Sequence, residues 1–470
     1  MDDIFEAIGP EEWRQLIEKE LKSLTYEDVK WPVAEGVEGK PDYSAKDAPE
    51  PVVFIPADRP AEGWLIKENL SISSFDDSNK AALDLLMKGV NAIGFRGTIN
   101  RSEDLRTLLH NIDLPAVGLF FSRQNQPLHF LQNLSDYVRS RSFPSEKITG
   151  GMSFDPVGML ATRGNWINNE IRDRELCIQL LEANVENNMH QFHPVFVDGS
   201  IYHNSGADVV TELACTLAHG NEYLQWLHLK DQDIRKAATG LHFKLAAGRT
   251  YFAQIAKFRA FRPLWANVCA AYDIEPKQSS RTFVTADTSL RERSLRDPHT
   301  NLIRTTTQAM TAVLGGCDAI RVVPFDDGLS AENSAGSRLA RNIQLILNEE
   351  AHFGIVADPS AGSYLLDRLS AEVMEAAWKL FQEIEERGGL VEGLKSGFIQ
   401  EKIKTQADRA DEKIASGSSV YVGLNMYQNA EDNMQIIDSG KGFALESKQI
   451  EPLPLRDVSS VVEHANHSNS

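Results

Sequence analysis

Cysteine is scarce in this 470-residue chain, with four at Cys177, Cys215, Cys269 and Cys317. Each stands alone in an apolar segment, and no two have the CxxC or metal-ligand spacing of a redox pair or zinc site. They read as buried free thiols of a reducing compartment. Basic residues are also in deficit, 48 against 67 acidic ones, for a formal charge of −19. Such a field repels phosphate backbones and anionic lipid, which argues against nucleic acid as a partner. No apolar run approaches the roughly 20 residues that cross a bilayer. The N-terminus, MDDIFEAIGPEEW, lacks the charged-then-apolar layout of a signal peptide. A soluble, cytoplasmic protein with no membrane contact is expected. GxGxxG and GxxxxGK[ST] are missing, and with them the usual nucleotide cradles. The glycine pairs at 150–151 and 315–316, and Gly362, read as turns flanking strands.

What is present is an ordinary globular mixture, 42% apolar and 24% charged, long enough to bury a sizeable core. Residues 11–25 place Trp13, Leu16, Ile17, Leu21 and Leu24 at helical spacing. Residues 32–60 then hold six of the nineteen prolines, which predicts an extended arm. From residue 76 short apolar runs alternate with amphipathic segments. The runs are NAIGF (91–95), AVGLFF (116–121), GMSFD (151–155), PVFVDG (194–199), GLHFKLA (240–246), RTFVTAD (281–287), AIRVVPFD (319–326) and GIVAD (354–358). Helices fit 169–184, 208–229, 250–272, 302–314, 336–350 and, most clearly, 369–386. Near-continuous apolar strands separated by helices imply a parallel sheet under helices, and eight units favour an α/β fold of the (β/α)8 TIM-barrel type. The division expected is an N-terminal helix and arm (1–62), a barrel (63–390) and a post-barrel segment (391–470). That last segment reads as a helix over about 398–415, a strand-like VYVGLNMY (420–427) and a frayed polar end.

Barrel chemistry sits at the C-terminal strand ends. Those ends read Phe95-Arg96-Gly97, Asp155, Asp198-Gly199, Gly248-Arg249, Asp287 and Phe325-Asp326. Several acids on one rim could bind a metal or move protons, but each taken singly reads as a helix cap. His190 and His193 stand three apart with no third ligand, so no metal site is assigned. Asp297-Pro298-His299 looks like the DxH of cobalamin modules, but Leu302 stands where the motif's glycine belongs.

Longer strings go further. GADVVTELACTLAHGNEYL (206–224), QIAKFRAFRPLW (254–265), SLRERSLRDPHTNLIRTT (289–306), SRLARNIQLILNEE (337–350), VADPSAGSYLLDRL (356–369) and FQEIEERGGL (381–390) resemble the methylmalonyl-CoA mutase family. These are the adenosylcobalamin-dependent acyl-CoA carbon-skeleton mutases, and the resemblance runs from about residue 63 to 430. It implies a (β/α)8 barrel followed by a cobalamin-binding domain. Residues 430–470 hold no DxHxxG, so that C-terminal domain is expected to be absent. The family's W-T-I-R-Q-Y tyrosine falls on Asn69, within Trp64-Leu65-Ile66-Lys67-Glu68-Asn69. Its thioester-binding histidine falls on Ile201, with Tyr202-His203 one residue further on. Its H-C-Q-T-S-G string is Thr282-Phe283-Val284-Thr285-Ala286-Asp287. The carboxylate-recognising arginine survives as Arg163, followed by Gly164-Asn165-Trp166 instead of TYIFPP. Phe120, Phe121, Phe154, Phe196, Phe243, Phe283 and Phe325 sit on strands where the family threads the pantetheine arm of CoA, and inward-pointing members would fill the axis. The resemblance therefore implies a small, non-catalytic subunit with no cofactor or metal of its own. Its partner would be a large mutase subunit carrying adenosylcobalamin, with the N-terminal helix and arm reaching onto it. Two rivals are a catalytic chain served by a separate cobalamin protein, which requires tyrosine and histidine at positions 69 and 201, and a free-standing non-enzymatic barrel.

Overall fold

Eight short segments, seven of them apolar runs bounded by glycine and polar turns, pair as parallel strands in this computed structural model. It describes residues 9–50, 63–229, 234–279, 282–327, 334–428 and 448–462. The barrel strands are β1 (Leu65–Ser71), β2 (Ala92–Arg96), β3 (Gly118–Ser122), β4 (Gly150–Phe154), β5 (Phe192–Asp198), β6 (Leu241–Ala247), β7 (Phe283–Thr288) and β8 (Ala319–Arg321). They pair in chain order, and β8 closes on β1 through Ala319↔Leu65 and Ile320↔Ile66. The expected (β/α)8 barrel is the fold.

One member of the expected eight runs is not a strand. GIVAD is a string of turns with Ile355 and Val356 72% and 53% exposed. The strand it displaces is β1, whose Lys67 and Asn69 face the axis and break the apolar pattern. VYVGLNMY is likewise a turn rather than a strand, pinned by Asn425 Nδ2 donating to the carbonyls of Ile414 and Ser419 at 2.8 Å each. The helices expected around 169–184, 208–229, 250–272, 302–314, 369–386 and 398–415 form within a few residues of those bounds, and 336–350 is α-helical to Leu345 with a π-turn beyond. Phe75–Met87, Ser102–Leu108 and Pro127–Ser140 are helices the patterning left unread.

The proline-rich arm is not simply extended. Trp31–Ala34 and Val37–Gly39 form a hairpin turning at Gly36 (φ 78°). Val37 enters the core, and the Glu35 N–H donates to Asp208 at 2.8 Å, so this part lies on its own barrel. Residues 51–62, with three of the six prolines, lie outside the described residues. The helix Pro10–Glu20 ahead of the hairpin buries no residue. At the other end residues 448–462 dock on the barrel, while the polar terminus expected to fray, VEHANHSNS, begins only at Val462. The Leu453 and Val458 N–H groups donate to Ala161 and Arg291 carbonyls, and Val458 and Val462 pack on Ile414, Tyr421 and Leu424. Residues 463–470 lie outside the described residues.

Helix Val209–His228 is the most deeply buried cover element, packed between helices Tyr251–Ala270 and Tyr364–Glu386. A fully buried ion pair locks it there, Lys257 Nζ to Glu212 Oε2 at 2.6 Å. The second Glu212 oxygen accepts from the Ala246 N–H at 2.8 Å, and Lys257 also donates to the Ala246 carbonyl at 2.5 Å. Two helices and β6 thus share one saturated charge cluster, and removing one partner strands a charge in low dielectric. Lys257→Met is expected to cost about 3–5 kcal/mol in denaturant unfolding, with Glu212→Gln added to it costing less than the sum of the two.

A second carboxylate, half-buried, is under-satisfied. Glu385 accepts through Oε2 from Asn221 (2.8 Å) and Gln225 (3.0 Å), but its Oε1 has no partner among the described residues. Burial, then the neighbouring Glu222 charge, pushes its carboxyl up to about 7. The folded state therefore holds this proton more tightly than the unfolded chain, whose carboxyl titrates near its ordinary 4.5. Stability is lost as pH rises from there through about 7. Glu385→Gln is expected to remove that part of the pH dependence, melting above the parent at pH 8 and with a smaller difference at pH 5.

Candidate site at the barrel mouth

Alternation along each strand decides what enters the axis. Phe120, Phe196 and Phe283 point inward. Phe121 packs outward on Phe130 (4.7 Å) and Phe243 on Trp265 (4.6 Å), while Phe154 joins the same outer core and Phe325 stacks on His299. Three inward rings of the seven are enough, because two histidines join them. Phe120 and Phe283 come from strands on opposite sides of the barrel, and their centroids meet at 6.1 Å. His242 lies 5.6 Å from Phe120 and 4.8 Å from Phe196, and His193 stacks on Phe283 at 5.1 Å. Both imidazoles are held neutral by burial, His193 down to about 4 and His242 well below the ordinary histidine range. Each has a neutral partner, Thr239 carbonyl for His193 and Thr285 hydroxyl for His242, at 2.8 Å. This ring layer divides the axis. Above it is a cup of about 310 Å³ at the C-terminal mouth, floored by Phe120, Phe196 and His242. Below it is a pocket of about 850 Å³ at the other mouth, bounded by His193, Phe283, Trp64, Gln191 and Asp318.

The cup is charged. Asp287 pairs with Arg321 at 2.8 Å, and Lys244 lies 2.7 Å from Asp198 and 3.8 Å from Asp287. Burial alone would raise the Asp287 carboxyl, but Arg321 and Lys244 hold it far below the carboxylate range. Lys67 stands over the Phe120 ring at 4.1 Å, its ammonium lowered to about 8 by burial. Asp198 and Asp287 are thus ion-pair partners inside the mouth, not the helix caps expected of them. Asp155 does cap, accepting from the Gly158 N–H at 2.7 Å, and also accepts from Tyr223 (2.7 Å) and lies 2.9 Å from His219. The signal for Lys244 and Arg321 was visible as a lone cation inside each apolar run.

Of the residues named from the sequence, Asn69 lines the cup. Ile201 lies in the short helix Ser200–Asn204, half-buried against the core. His203 is engaged with Ser289 at 2.7 Å and Tyr202 with His219 at 3.1 Å. Arg163 ends the helix Pro156–Arg163 on an exposed face and is not among the cup's lining residues. His190 is exposed while His193 is in the ring layer, and no group of three metal-ligating side chains is assembled among the described residues. Asp297 bonds Thr300, and Arg249 lies over the Tyr421 ring at 4.0 Å.

The fold and mouth define a (β/α)8 barrel with its axis closed by side chains. The methylmalonyl-CoA mutase family profile matches residues 66–459, and the chain belongs to that family. It is 31% identical to the methylmalonyl-CoA mutase small subunit of Porphyromonas gingivalis over 90% of this chain and 70% of that protein. It is 29% identical to the human mitochondrial methylmalonyl-CoA mutase over 94% of this chain, spanning 64% of the human protein's length. Among solved structures, a Yersinia pestis dihydropteroate synthase overlays with a TM-score of 0.31 at 13% identity, covering 62% of this chain and 94% of that one, too loosely to bear on chemistry.

Phe283→Ala is expected to cost about 2–3 kcal/mol in urea unfolding, below the roughly 3–5 kcal/mol of a fully buried ring, because Phe283 is half-buried and borders the lower pocket. Water reaching the hole should also move the His242 titration, followed by NMR, up toward 6.5.

Proposed function

We propose that this chain is the small, non-catalytic subunit of a heterodimeric methylmalonyl-CoA mutase. Its large partner would bind adenosylcobalamin and interconvert methylmalonyl-CoA and succinyl-CoA. The closed axis carries the reading. A pantetheine arm needs a continuous bore, and Phe120 touching Phe283 across the barrel leaves none. Asn69 and Ile201 support it, since neither can supply the ring or the imidazole that the family's tyrosine and histidine supply. The similarity to a protein named as a small subunit points the same way.

Adenosylcobalamin does not fit the residues at this mouth. His203 and His242 are buried and hydrogen-bonded to Ser289 and Thr285, so neither imidazole inside the mouth is presented to a metal. The chain's own Tyr421 and Val458 segments also cover part of the rim, on Arg249 and Arg291. The cofactor is therefore assigned to the partner. The role left to this chain is to bind and stabilise, and the helix Pro10–Glu20, with no buried residue and Leu16 46% exposed, offers an apolar contact face.

Mixing the chain with a large mutase subunit should give a one-to-one complex on size exclusion, and Leu16→Asp should weaken it at least about tenfold. The chain alone, given methylmalonyl-CoA and adenosylcobalamin, should form no succinyl-CoA. Turnover by the chain alone would overturn the non-catalytic assignment, and a homodimer indifferent to the large subunit would overturn the partnership.

A further inference from the structure

The cup above the ring layer is unbalanced in charge. Four cations line it, Lys67, Arg96, Lys244 and Arg321, against two carboxylates, Asp198 and Asp287. In a chain of formal charge −19 this is a local reversal of sign. The two carboxylates are spent on Lys244 and Arg321. Among the described residues the Lys67 ammonium makes no ion pair or hydrogen bond, only its contact with the Phe120 face. Arg321 gives one terminal nitrogen to Asp287 and keeps a buried Nε–H without a partner among the described residues. Arg96, on the rim, also has no ion pair among the described residues. An unpaired ammonium over an aromatic floor is costly unless something anionic completes it.

We propose that this cup is a binding site for a small oxyanion, a carboxylate or phosphate group held by Lys67 from β1, Arg321 from β8 and Arg96 from β2. Its volume, at the lower end of ligand pockets, admits only a compact molecule, and the ring layer bars anything that must pass down the axis. Asn69, Ser122 and Ser153 line the same wall and supply neutral donors. The site needs no CoA, no cobalamin and no partner subunit, so it stands or falls apart from the subunit assignment.

The groups facing Lys67 give the binding a pH signature. Asp287 and Asp198 favour its charge, while Lys244, Arg321 and burial oppose it, and His242 across the floor stays neutral. With an ammonium that titrates near 8, an incoming anion must draw a proton onto Lys67 when the solution is above that pH.

The test is calorimetric titration of the purified chain with inorganic phosphate and, separately, acetate, at constant ionic strength with chloride as background. Saturable binding of either is expected, phosphate alone or acetate alone identifying which head group fits. Proton uptake should accompany it at pH 9, read from heats in buffers of different ionisation enthalpy, and be lost at pH 6. Lys67→Met should weaken binding at least about tenfold while raising the melting temperature of the anion-free chain. Arg96→Gln, an exposed rim change that leaves folding untouched, should weaken it by a smaller factor. No saturable heat from either anion, or affinities unchanged in both variants, would overturn the site.

Discussion

The contact between Phe120 and Phe283 is the constraint from which the rest of this molecule follows. An eight-stranded barrel is just wide enough for side chains to fill or for a narrow chain to pass, and the inward positions decide which. Here two rings from opposing strands meet at the centre, and His242, His193 and Phe196 close the remaining gaps. Barrel closure thereby gains an apolar core of its own, separate from the larger one between strands and helices. The cost is that nothing can pass along the axis.

Closing the axis also sorts its electrostatics by height. Within the ring layer the polar atoms belong to imidazoles kept neutral by burial and bonded to hydroxyl or carbonyl oxygen, so the dry level carries no charge. The ion pairs of the cup lie above it, where the mouth admits water and Lys244, Arg321, Asp198 and Asp287 can be charged at tolerable cost. Burying the same four groups at ring level would require a saturated set of partners like that around Glu212 and Lys257, where backbone groups of β6 complete both ions.

Legibility in the sequence followed this division. The strands with several apolar residues in succession, such as β3 and β5, stood out as continuous runs, and the long cover helices showed their stripes. β1 did not, because Lys67 and Asn69 serve the mouth rather than the core, and only the family resemblance placed that segment. GIVAD imitated a strand because apolarity without pairing partners looks the same on paper, and its exposed Ile355 and Val356 show the difference. The acids Asp198 and Asp287 were seen at strand ends but read as caps, since capping is a local property and their partners, Lys244 and Arg321, are on other strands. Which phenylalanines face inward was also beyond composition. It depends on strand register, and Phe120 and Phe121 differ by one residue and point to opposite sides.

The closed axis is not a one-residue state. Gly94 and Gly151 on β2 and β4 face the same interior, and a Cβ at Gly151 would stand 2.6 Å from the His193 carbonyl and 3.4 Å from His242 Nδ1, while one at Gly94 would collide with Asn69. Small residues on one half of the barrel thus make room for large ones on the other, and each set fixes the other. Removing a single ring leaves a hole that neighbours only partly refill, with the glycines still too small to build a wall for a ligand. Opening a bore would take coordinated replacement of the rings, both histidines and the glycines facing them. A scaffold so far committed to an internal core keeps the family's architecture through packing alone, and its remaining freedom to vary lies at the charged mouth and on the outer surface.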